Sequence, residues 1–302
     1  MSVVLPRRHL ALACLLVSTL VAASACSGDG EDPSGEPSTA DSAGVTQEYV
    51  ALGDSYTSAP GVPETVDEGC LRSDANYPAL VAEELDLALR DVSCGGASVT
   101  SLIGVQETST GPRAPQFNAL TTDTDLVTLG IGGNDEGLFS LLFVECLRLG
   151  AEQRTGSPCR DLLTQGEDGT VLDTIAVIQE RLTSALLGIK DRAPDADVVL
   201  VGYPQLVPDR IRCDVLPLTP ADYRFVRTTL VAMGRATQQA AEDAGVRYVD
   251  LLAASAGHDV CAGEDAWVRG VVDDPAAPGA TMHPFAEEQV AVAQLVVEAL
   301  ED

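Results

Sequence analysis

Short apolar segments rich in β-branched residues recur along the chain, and longer stretches with helical spacing separate them. Apolar runs of this kind are typical of strands that are buried on both faces of a sheet. We predict strands at Glu48–Leu52, Arg90–Ser93, Leu126–Ile131, Val198–Tyr203 and Val246–Asp250. We predict helices at Tyr77–Leu85, Leu138–Leu149, Thr170–Lys190, Pro220–Ala244 and Pro284–Leu300.

The alternation of strands and helices indicates an α/β fold. Parallel strands joined by helices require right-handed crossovers, and these place helical layers on both faces of the sheet. Thr219 and Pro220 suit the start of a helix, and Gly245 suits its end. We therefore predict a flavodoxin-like three-layer αβα sandwich with a central five-stranded parallel sheet.

Chemically distinctive residues follow three of the predicted strands. Gly53-Asp54-Ser55 ends the first strand, Cys94-Gly95-Gly96 the second, and Gly132-Gly133-Asn134-Asp135 the third. Open α/β sheets build their sites at the carboxyl ends of the strands. His283 stands at the start of the last predicted helix. The sequence thus predicts one site that combines a serine, glycines, an asparagine and a histidine.

The first 25 residues read as a signal peptide. Arg7 and Arg8 precede an apolar stretch, Leu10–Ala23, and Ala23–Ala25 supplies small residues for cleavage. The arginine pair also suggests the twin-arginine route, but the residues after it fit that signal poorly, and general secretion is the default. We predict an exported protein whose remaining cysteines meet an oxidising compartment.

Cys26 follows small residues, as does the lipidated cysteine of bacterial lipoproteins. Ordinary cleavage after Ala25 is the alternative, since Ala-Ser-Ala also suits soluble secretion. Of the eight cysteines, Cys14 leaves with the signal and lipidation of Cys26 leaves an even six. We favour a lipid-anchored cell-surface protein. Residues 26–46, rich in Ser, Gly, Asp, Glu and Pro, then form a disordered tether to a domain at 47–302.

The six remaining cysteines allow 15 pairings, and the predicted topology favours one. Loops that follow neighbouring strands lie close together, so Cys70 can pair with Cys94 and Cys213 with Cys261. Cys146 and Cys159 can close a short loop between them. Metal ligation is the alternative, but the sequence shows no Cys-x-x-Cys or His-x-x-x-His spacing. We expect three disulfides, which pair Cys70 with Cys94, Cys146 with Cys159, and Cys213 with Cys261.

The charge of the chain is strongly acidic. Removing the signal takes Arg7 and Arg8 from 18 basic residues and leaves 16 against 46 acidic ones, a net charge of −30. Such a charge argues against nucleic acid and anionic membrane surfaces as partners. We expect membrane contact only through the N-terminal lipid anchor.

The blocks around Ser55, Gly96, Asn134 and His283 resemble those of the SGNH (GDSL-type) hydrolases, in the same order along the chain. The Cys94–Ala97 setting and the six-cysteine layout resemble the secreted actinobacterial esterase and lipase branch. The resemblance covers about residue 47 to the end. It implies a serine esterase or lipase that acts on a small-molecule or lipid ester without metal or cofactor, and we expect a monomer.

The resemblance also implies a role for each matching residue. Ser55 is the expected nucleophile and His283 its base. The Ser55 N–H, the Gly96 N–H and the Asn134 side-chain amide are expected to form the oxyanion hole. Ser55 and the glycines have ordinary alternatives: Ser55 as an N-cap, and the glycines as tight turns. The turns would not account for Asn134. His258 lies in a polar loop, and we interpret it as a satisfied surface residue.

One position departs from the family pattern. Many members have an Asp three residues before the histidine, and this chain has Ala280. We expect a backbone carbonyl near Ala280 to orient His283, which makes a Ser–His dyad. Asp273 or Asp274 folding back onto the imidazole is the alternative.

The substrate is harder to predict from the sequence. We expect the loops at 56–66, 138–149 and 203–218 to rim the cleft. The apolar run Leu138–Val144 forms an acyl groove if it faces the site, although a helix core face is commoner. Deacetylation of a polysaccharide and a non-catalytic surface-binding lipoprotein are the alternative functions.

Overall fold

The structure is a computed structural model that describes residues 46–164, 170–209, 212–272 and 280–301. The predicted signal peptide, the lipidation site at Cys26 and nearly all of the predicted tether lie outside the described residues. Asp273 and Asp274 lie outside them as well.

Nine strands occur in the described residues, and five of them form the central sheet. In chain order they are β1 (Glu48–Gly53), β2 (Thr65–Asp67), β3 (Arg72–Ser73), β4 (Ala88–Asp91), β5 (Gln106–Thr108), β6 (Gly111–Arg113), β7 (Thr124–Gly130), β8 (Asp197–Val201) and β9 (Arg247–Val249). The sheet order is β4-β1-β7-β8-β9, and every pairing in it is parallel. This is the flavodoxin-like order, so the predicted fold is confirmed.

Helices cover both faces of this sheet. In chain order they are α1 (Ser55–Ser58), α2 (Tyr77–Leu85), α3 (Val99–Ile103), α4 (Leu138–Ser140), α5 (Cys146–Glu152), α6 (Pro158–Thr164), α7 (Val171–Arg192), α8 (Pro220–Ala244), α9 (Leu251–Ala254) and α10 (Ala286–Glu301). A π-type turn at Leu141–Glu145 joins α4 to α5. None of the helices among the described residues is both long and apolar enough to cross a bilayer.

Local sequence signals account for the bounds of α8. The Thr219 side chain accepts a hydrogen bond from the Asp222 backbone N–H, and Pro220 occupies the first turn. Gly245 ends the helix in the left-handed conformation, with φ of +62°. A capping residue satisfies backbone donors that a helix leaves without partners, and for this reason these ends were predictable from the sequence.

Alternate residues of the central strands pack in two separate hydrophobic cores, one on each face of the sheet. Val50 and Leu52 of β1 pack in the core that contains much of α7 and α8. Tyr49 and Ala51 pack in the other core, together with residues of α2 and α10. Successive strand residues point to opposite faces, so β1 is buried on both sides.

The three expected disulfides are present. They join Cys70 to Cys94, Cys146 to Cys159, and Cys213 to Cys261. The first joins the turn between β2 and β3 to the loop after β4. The third joins the loop after β8 to the loop after α9.

Two small hairpins, β2–β3 and β5–β6, were not predicted. Both contact the segment after β4, since the Arg72 side chain donates to the Ser93 carbonyl oxygen and the Gln106 side chain to that of Gly95. Their strands are two or three residues long, which is too short to show a period-two pattern. Tertiary contacts hold them instead. Asp67 accepts hydrogen bonds from the guanidinium groups of Arg72 and Arg113, which ties one hairpin to the other.

Candidate active site

Ser55 is the first residue of α1, immediately beyond the carboxyl end of β1. The N-cap is Asp54, whose Oδ1 accepts the Tyr56 backbone N–H at 2.9 Å. The interpretation of Ser55 as the N-cap is therefore wrong. Because the first N–H groups of a helix lack intrahelical partners, the Ser55 N–H remains available to another acceptor. The Ser55 side chain is half-buried.

The turn from β1 into α1 is too tight for a side chain at position 53. A Cβ on Gly53 would lie 2.2 Å from the Thr57 Oγ1 and 2.7 Å from the Gly130 carbonyl oxygen. The Asp54 N–H donates to that same carbonyl oxygen at 2.9 Å. The close approach holds the start of α1 against the end of β7.

The loop after β4 lies beside Ser55 and is held from several directions. The Cys94 N–H donates to the Gly53 carbonyl oxygen at 3.0 Å, and the Gly95 N–H donates to the Cys70 carbonyl oxygen at 2.7 Å. The Gln106 side chain donates to the Gly95 carbonyl oxygen at 2.8 Å. Gly96 itself is exposed and has φ of +75°, a conformation that glycine adopts without strain. Among the described residues, no acceptor takes the Gly96 N–H.

Asn134 follows β7 and faces the same loop. Its side-chain amide donates to the Ala97 carbonyl oxygen at 2.9 Å. The amide carries two N–H bonds, so this contact orients the group and leaves one for another acceptor. Asp135 fixes the loop from behind, since its Oδ2 accepts the Val99 N–H at 2.9 Å and its Oδ1 lies 3.4 Å from Arg181.

His283 lies in the segment that precedes α10. Its Nδ1 is 2.8 Å from the Thr281 carbonyl oxygen, while its backbone N–H donates to the Ala280 carbonyl oxygen at 3.1 Å. A carbonyl only accepts, so Nδ1 carries the proton and Nε2 presents its lone pair. Burial lowers the pKa of His283 below its ordinary value, which favours the neutral imidazole at neutral pH.

Tyr56 connects the two halves of the site. Its ring stacks on the His283 imidazole, with 5.7 Å between ring centroids and 26° between ring planes, and Ser55 is its neighbour in the chain. Within the described part of the chain, the Ser55 hydroxyl makes no hydrogen bond to the imidazole. Catalytic hydrogen bonds often tighten only when substrate binds.

Behind the site, Asp54 is fully buried and bonded to a tyrosine that sequence reasoning missed. The Tyr203 hydroxyl donates to the Asp54 Oδ2 and accepts the Gly133 N–H at 2.8 Å. Burial raises the pKa of Asp54 to about 7. The contact ties the end of β8 to the loops after β1 and β7. Tyr203 closes a predicted strand, and no sequence signal distinguishes it from a core residue.

A second buried carboxyl, Glu288, lies on α10 and lines a small cavity together with Tyr56, Tyr77 and Tyr203. Burial raises its pKa to about 8. The neighbouring Gln289 side chain donates to the Glu288 Oε2 at 2.6 Å and to the Tyr56 carbonyl oxygen at 3.1 Å. The Gln289 side-chain Oε1 accepts a hydrogen bond from the Tyr77 N–H at 2.6 Å.

Two remaining expectations concern residues outside this cluster. The run Leu138–Val144 places Leu138, Phe139 and Leu142 in the core, as a helix core face does. The Phe139 ring packs edge-on against Tyr203 at 4.7 Å between centroids. His258 is bonded through Nδ1 to the Asp265 carbonyl oxygen and stacks on Trp267, which agrees with a structural role.

Known proteins share the sequence pattern and the fold of this chain. The model of the GDSL-like Lipase/Acylhydrolase family matches residues 51–287. "Lipase 2" of Streptomyces coelicolor is 40% identical over 223 residues, covering 72% of this chain and 73% of the relative. Two crystal structures have the same fold at 26% identity, each covering 84% of this chain and 100% of the other. They are phospholipase A1 from Streptomyces albidoflavus NA297, with a TM-score of 0.69, and the extracellular lipase from Streptomyces rimosus, with 0.67.

The chain belongs to the GDSL-like lipase/acylhydrolase family. It is a carboxylic ester hydrolase of the SGNH type, as the resemblance implied, and its three disulfides agree with the predicted branch of the family.

Replacing Glu288 by Gln should increase stability above neutral pH. The folded state holds the Glu288 proton up to about pH 8, whereas an ordinary value of 4.5 applies when the chain is unfolded. The wild-type chain therefore loses stability as pH rises through this window. We expect Glu288→Gln to exceed wild type by about 2–4 kcal/mol at pH 9 and to match it near pH 4, as measured by urea unfolding.

The control is Glu287→Gln, which removes the same charge from the exposed neighbouring position on α10. It should unfold like wild type at both pH values. Equal curves for all three proteins at pH 9 would contradict the assignment of a buried, protonated Glu288.

Proposed function

We propose that the chain is an exported serine esterase or lipase that cleaves carboxylic esters through an acyl-enzyme on Ser55. The observation that carries this proposal is the grouping of one half-buried serine, one imidazole with an available Nε2, and three N–H donors at one edge of the sheet. These groups come from the ends of three adjacent strands and from the segment before α10.

In the first half-reaction, the Ser55 Oγ attacks the ester carbonyl carbon while the His283 Nε2 takes the hydroxyl proton. The tetrahedral intermediate then collapses, the bond to the alcohol oxygen breaks, and the imidazolium returns the proton to the leaving alcohol. In the second half-reaction, water attacks the acyl-enzyme with His283 again as base, and the acid and free Ser55 are released.

The Thr281 carbonyl does for the base what a carboxylate does in a triad. It accepts a hydrogen bond from the His283 Nδ1–H, which fixes the tautomer and the orientation of the ring. A carbonyl dipole stabilises the transient imidazolium less than a full negative charge does. No catalytic aspartate is included in the proposal.

Oxyanion stabilisation is assigned to the Ser55 N–H, the Gly96 N–H and the second N–H of the Asn134 amide. Hydrogen bonds from Cys94 and Asn134 join these loops to one another, so the donors are held in place before substrate arrives. Such preorganised donors act where charge develops in the transition state.

The substrate is proposed to be a small-molecule or lipid ester. Support comes from relatives whose names are lipase and phospholipase A1. The proposed location is the outside of the cell, anchored through a lipidated Cys26, with the catalytic domain monomeric. Three disulfides support export.

Ser55→Ala should abolish both hydrolysis of p-nitrophenyl esters and labelling by a fluorophosphonate, because the nucleophile is gone. A panel of short and long acyl esters, a phospholipid and an acetylated glycan defines the substrate class. Ser58→Ala, a buried serine on the same helical turn, is the matched control and should still be labelled. Equal labelling of Ser55→Ala and wild type would refute the nucleophile, and turnover of the glycan alone would refute the lipid-ester class.

Asn134→Ala should lower kcat by about 10²–10³, the usual effect of removing one oxyanion donor. Asn118→Ala, on the 3₁₀ turn at Gln116–Ala119, is the control, with wild-type kcat expected. Steady-state kinetics on a single ester provide the measurement. An Asn134→Ala protein with unchanged kcat would remove this residue from the oxyanion hole.

Mass spectrometry of protein purified from the host membrane should find a mature N-terminus at Cys26 that carries a diacylglycerol. Cys26→Ala should then release the protein into the medium without loss of specific activity, since the tether precedes the catalytic domain. A wild-type protein found soluble, with an unmodified N-terminus, would show free secretion instead.

A further inference from the structure

Tyr56 follows the proposed nucleophile directly, and its hydroxyl reaches the segment that carries the proposed base. The hydroxyl donates to the Met282 carbonyl oxygen at 2.6 Å. Among hydrogen bonds of the described residues, this one alone joins residues 54–59 to residues 280–285. The acceptor belongs to the peptide unit that leads into His283, so the contact acts directly on the backbone that positions the imidazole.

Met282 has an unusual conformation at this point. Its φ is +59°, in the left-handed region that costs a side-chain-bearing residue about 1–2 kcal/mol. Such a conformation persists only where surrounding contacts hold it. On one side of the residue, the Met282 carbonyl oxygen accepts the hydrogen bond from the Tyr56 hydroxyl. On the other, the Met282 N–H donates to the Arg269 carbonyl oxygen at 2.7 Å.

The Tyr56 ring supplies a second constraint on the same base. It stacks on one face of the His283 imidazole and is itself fixed by edge contacts with Tyr203 and Phe139, at 5.1 Å and 6.0 Å between centroids. Because these two rings hold the Tyr56 ring in place, the Tyr56 ring limits rotation of the His283 imidazole away from the Thr281 carbonyl oxygen.

The Tyr56 backbone is fixed on both sides. Its N–H donates to the Asp54 carboxylate, and its carbonyl oxygen accepts from the Gln289 side chain. Burial raises the pKa of the Tyr56 hydroxyl well above its ordinary value, and the nearby Glu288 and Asp54 carboxyls raise it further. The hydroxyl therefore remains a proton donor throughout the working pH range.

We propose that Tyr56 is a positioning residue that holds His283 in register with Ser55. Backbone hydrogen bonds also join the segment around His283 to residues 267–269, through an antiparallel bridge between Val268 and Pro284. Those bonds place His283 relative to the loop after α9 and not relative to the nucleophile. Tyr56 provides the direct link between the two reacting side chains. This inference rests on the proposed roles of Ser55 and His283.

The test is Tyr56→Phe, which keeps the ring and removes the hydroxyl. Losing one hydrogen bond that sets the geometry should lower kcat by about tenfold, while KM stays within about twofold because no substrate contact is lost. The rate of inactivation by a fluorophosphonate should fall by the same factor as kcat. Tyr56→Leu, which also removes the stacked ring, should lower kcat by about 10² or more.

Tyr49→Phe is the matched control. Tyr49 is a buried tyrosine on β1 whose hydroxyl is hydrogen-bonded to the Thr128 hydroxyl at 2.8 Å, in the core away from His283. It should show a loss of melting temperature similar to that of Tyr56→Phe, with kcat within twofold of wild type. The kinetics are measured about 15 °C below both melting temperatures. At that temperature both variants are folded, so a loss of kcat reports the positioning of His283 and not unfolding.

A Tyr56→Phe protein with wild-type kcat and inactivation rate would overturn the inference, as would equal losses of kcat in Tyr56→Phe and Tyr49→Phe. Failure of the proposed function looks different: Ser55→Ala would then remain active and labelled. An inert Ser55→Ala together with an unimpaired Tyr56→Phe therefore refutes the positioning role alone.

Discussion

The site depends on the parallel pairing of β1 between β4 and β7. Gly53 and Gly130 are register partners at the carboxyl ends of β1 and β7, and the Cys94 N–H extends the pairing of β4 onto the Gly53 carbonyl oxygen. Three chain segments that are distant in sequence thus end at one edge of the sheet. The loops after β1 and β7 have little freedom, because these strands are buried on both faces. The loop after β4 is restrained by the Cys94 hydrogen bond and by the Cys70–Cys94 disulfide. The proposed serine, glycine and asparagine donors are thus placed at one edge by the strands that precede them.

Buried polar groups stabilise this edge and also make it sensitive to pH. Asp54 caps α1, accepts the Tyr203 hydroxyl and is excluded from solvent. A buried carboxyl without such partners is costly, and two hydrogen bonds offset part of that cost. Glu288 has fewer partners and a higher pKa. Two buried carboxyl groups thus lie below the active site. Asp54 contacts the Tyr56 backbone directly, and Glu288 is linked to it through the Gln289 side chain.

Much of the fold could be predicted from local signals. The bounds of α2 and α8 were predicted residue for residue, because their caps involve side chains at neighbouring positions. The central strands were found from their apolar runs, although β4 begins at Ala88, before the predicted start. The hairpins were missed because disulfide and ion-pair contacts stabilise strands too short to carry a pattern. In the site, the family blocks led to Ser55 and His283 as the proposed nucleophile and base, and the backbone acceptor was expected near Ala280. This acceptor is Thr281, two residues before the histidine. That Tyr203 and Tyr56 brace the site was missed, because it depends on contacts between residues more than 100 positions apart.

The Cys70–Cys94 disulfide restrains the loop with Gly96 only after the disulfide has formed. The loop with Gly96 receives its covalent link to the β2–β3 turn only where thiols are oxidised. A newly made chain in a reducing cytoplasm lacks that link, so the loop is less restrained there than in the mature protein. The order of the Gly96 loop therefore depends on the redox state of the compartment in which the chain folds, and the loop reaches its full restraint only after oxidation.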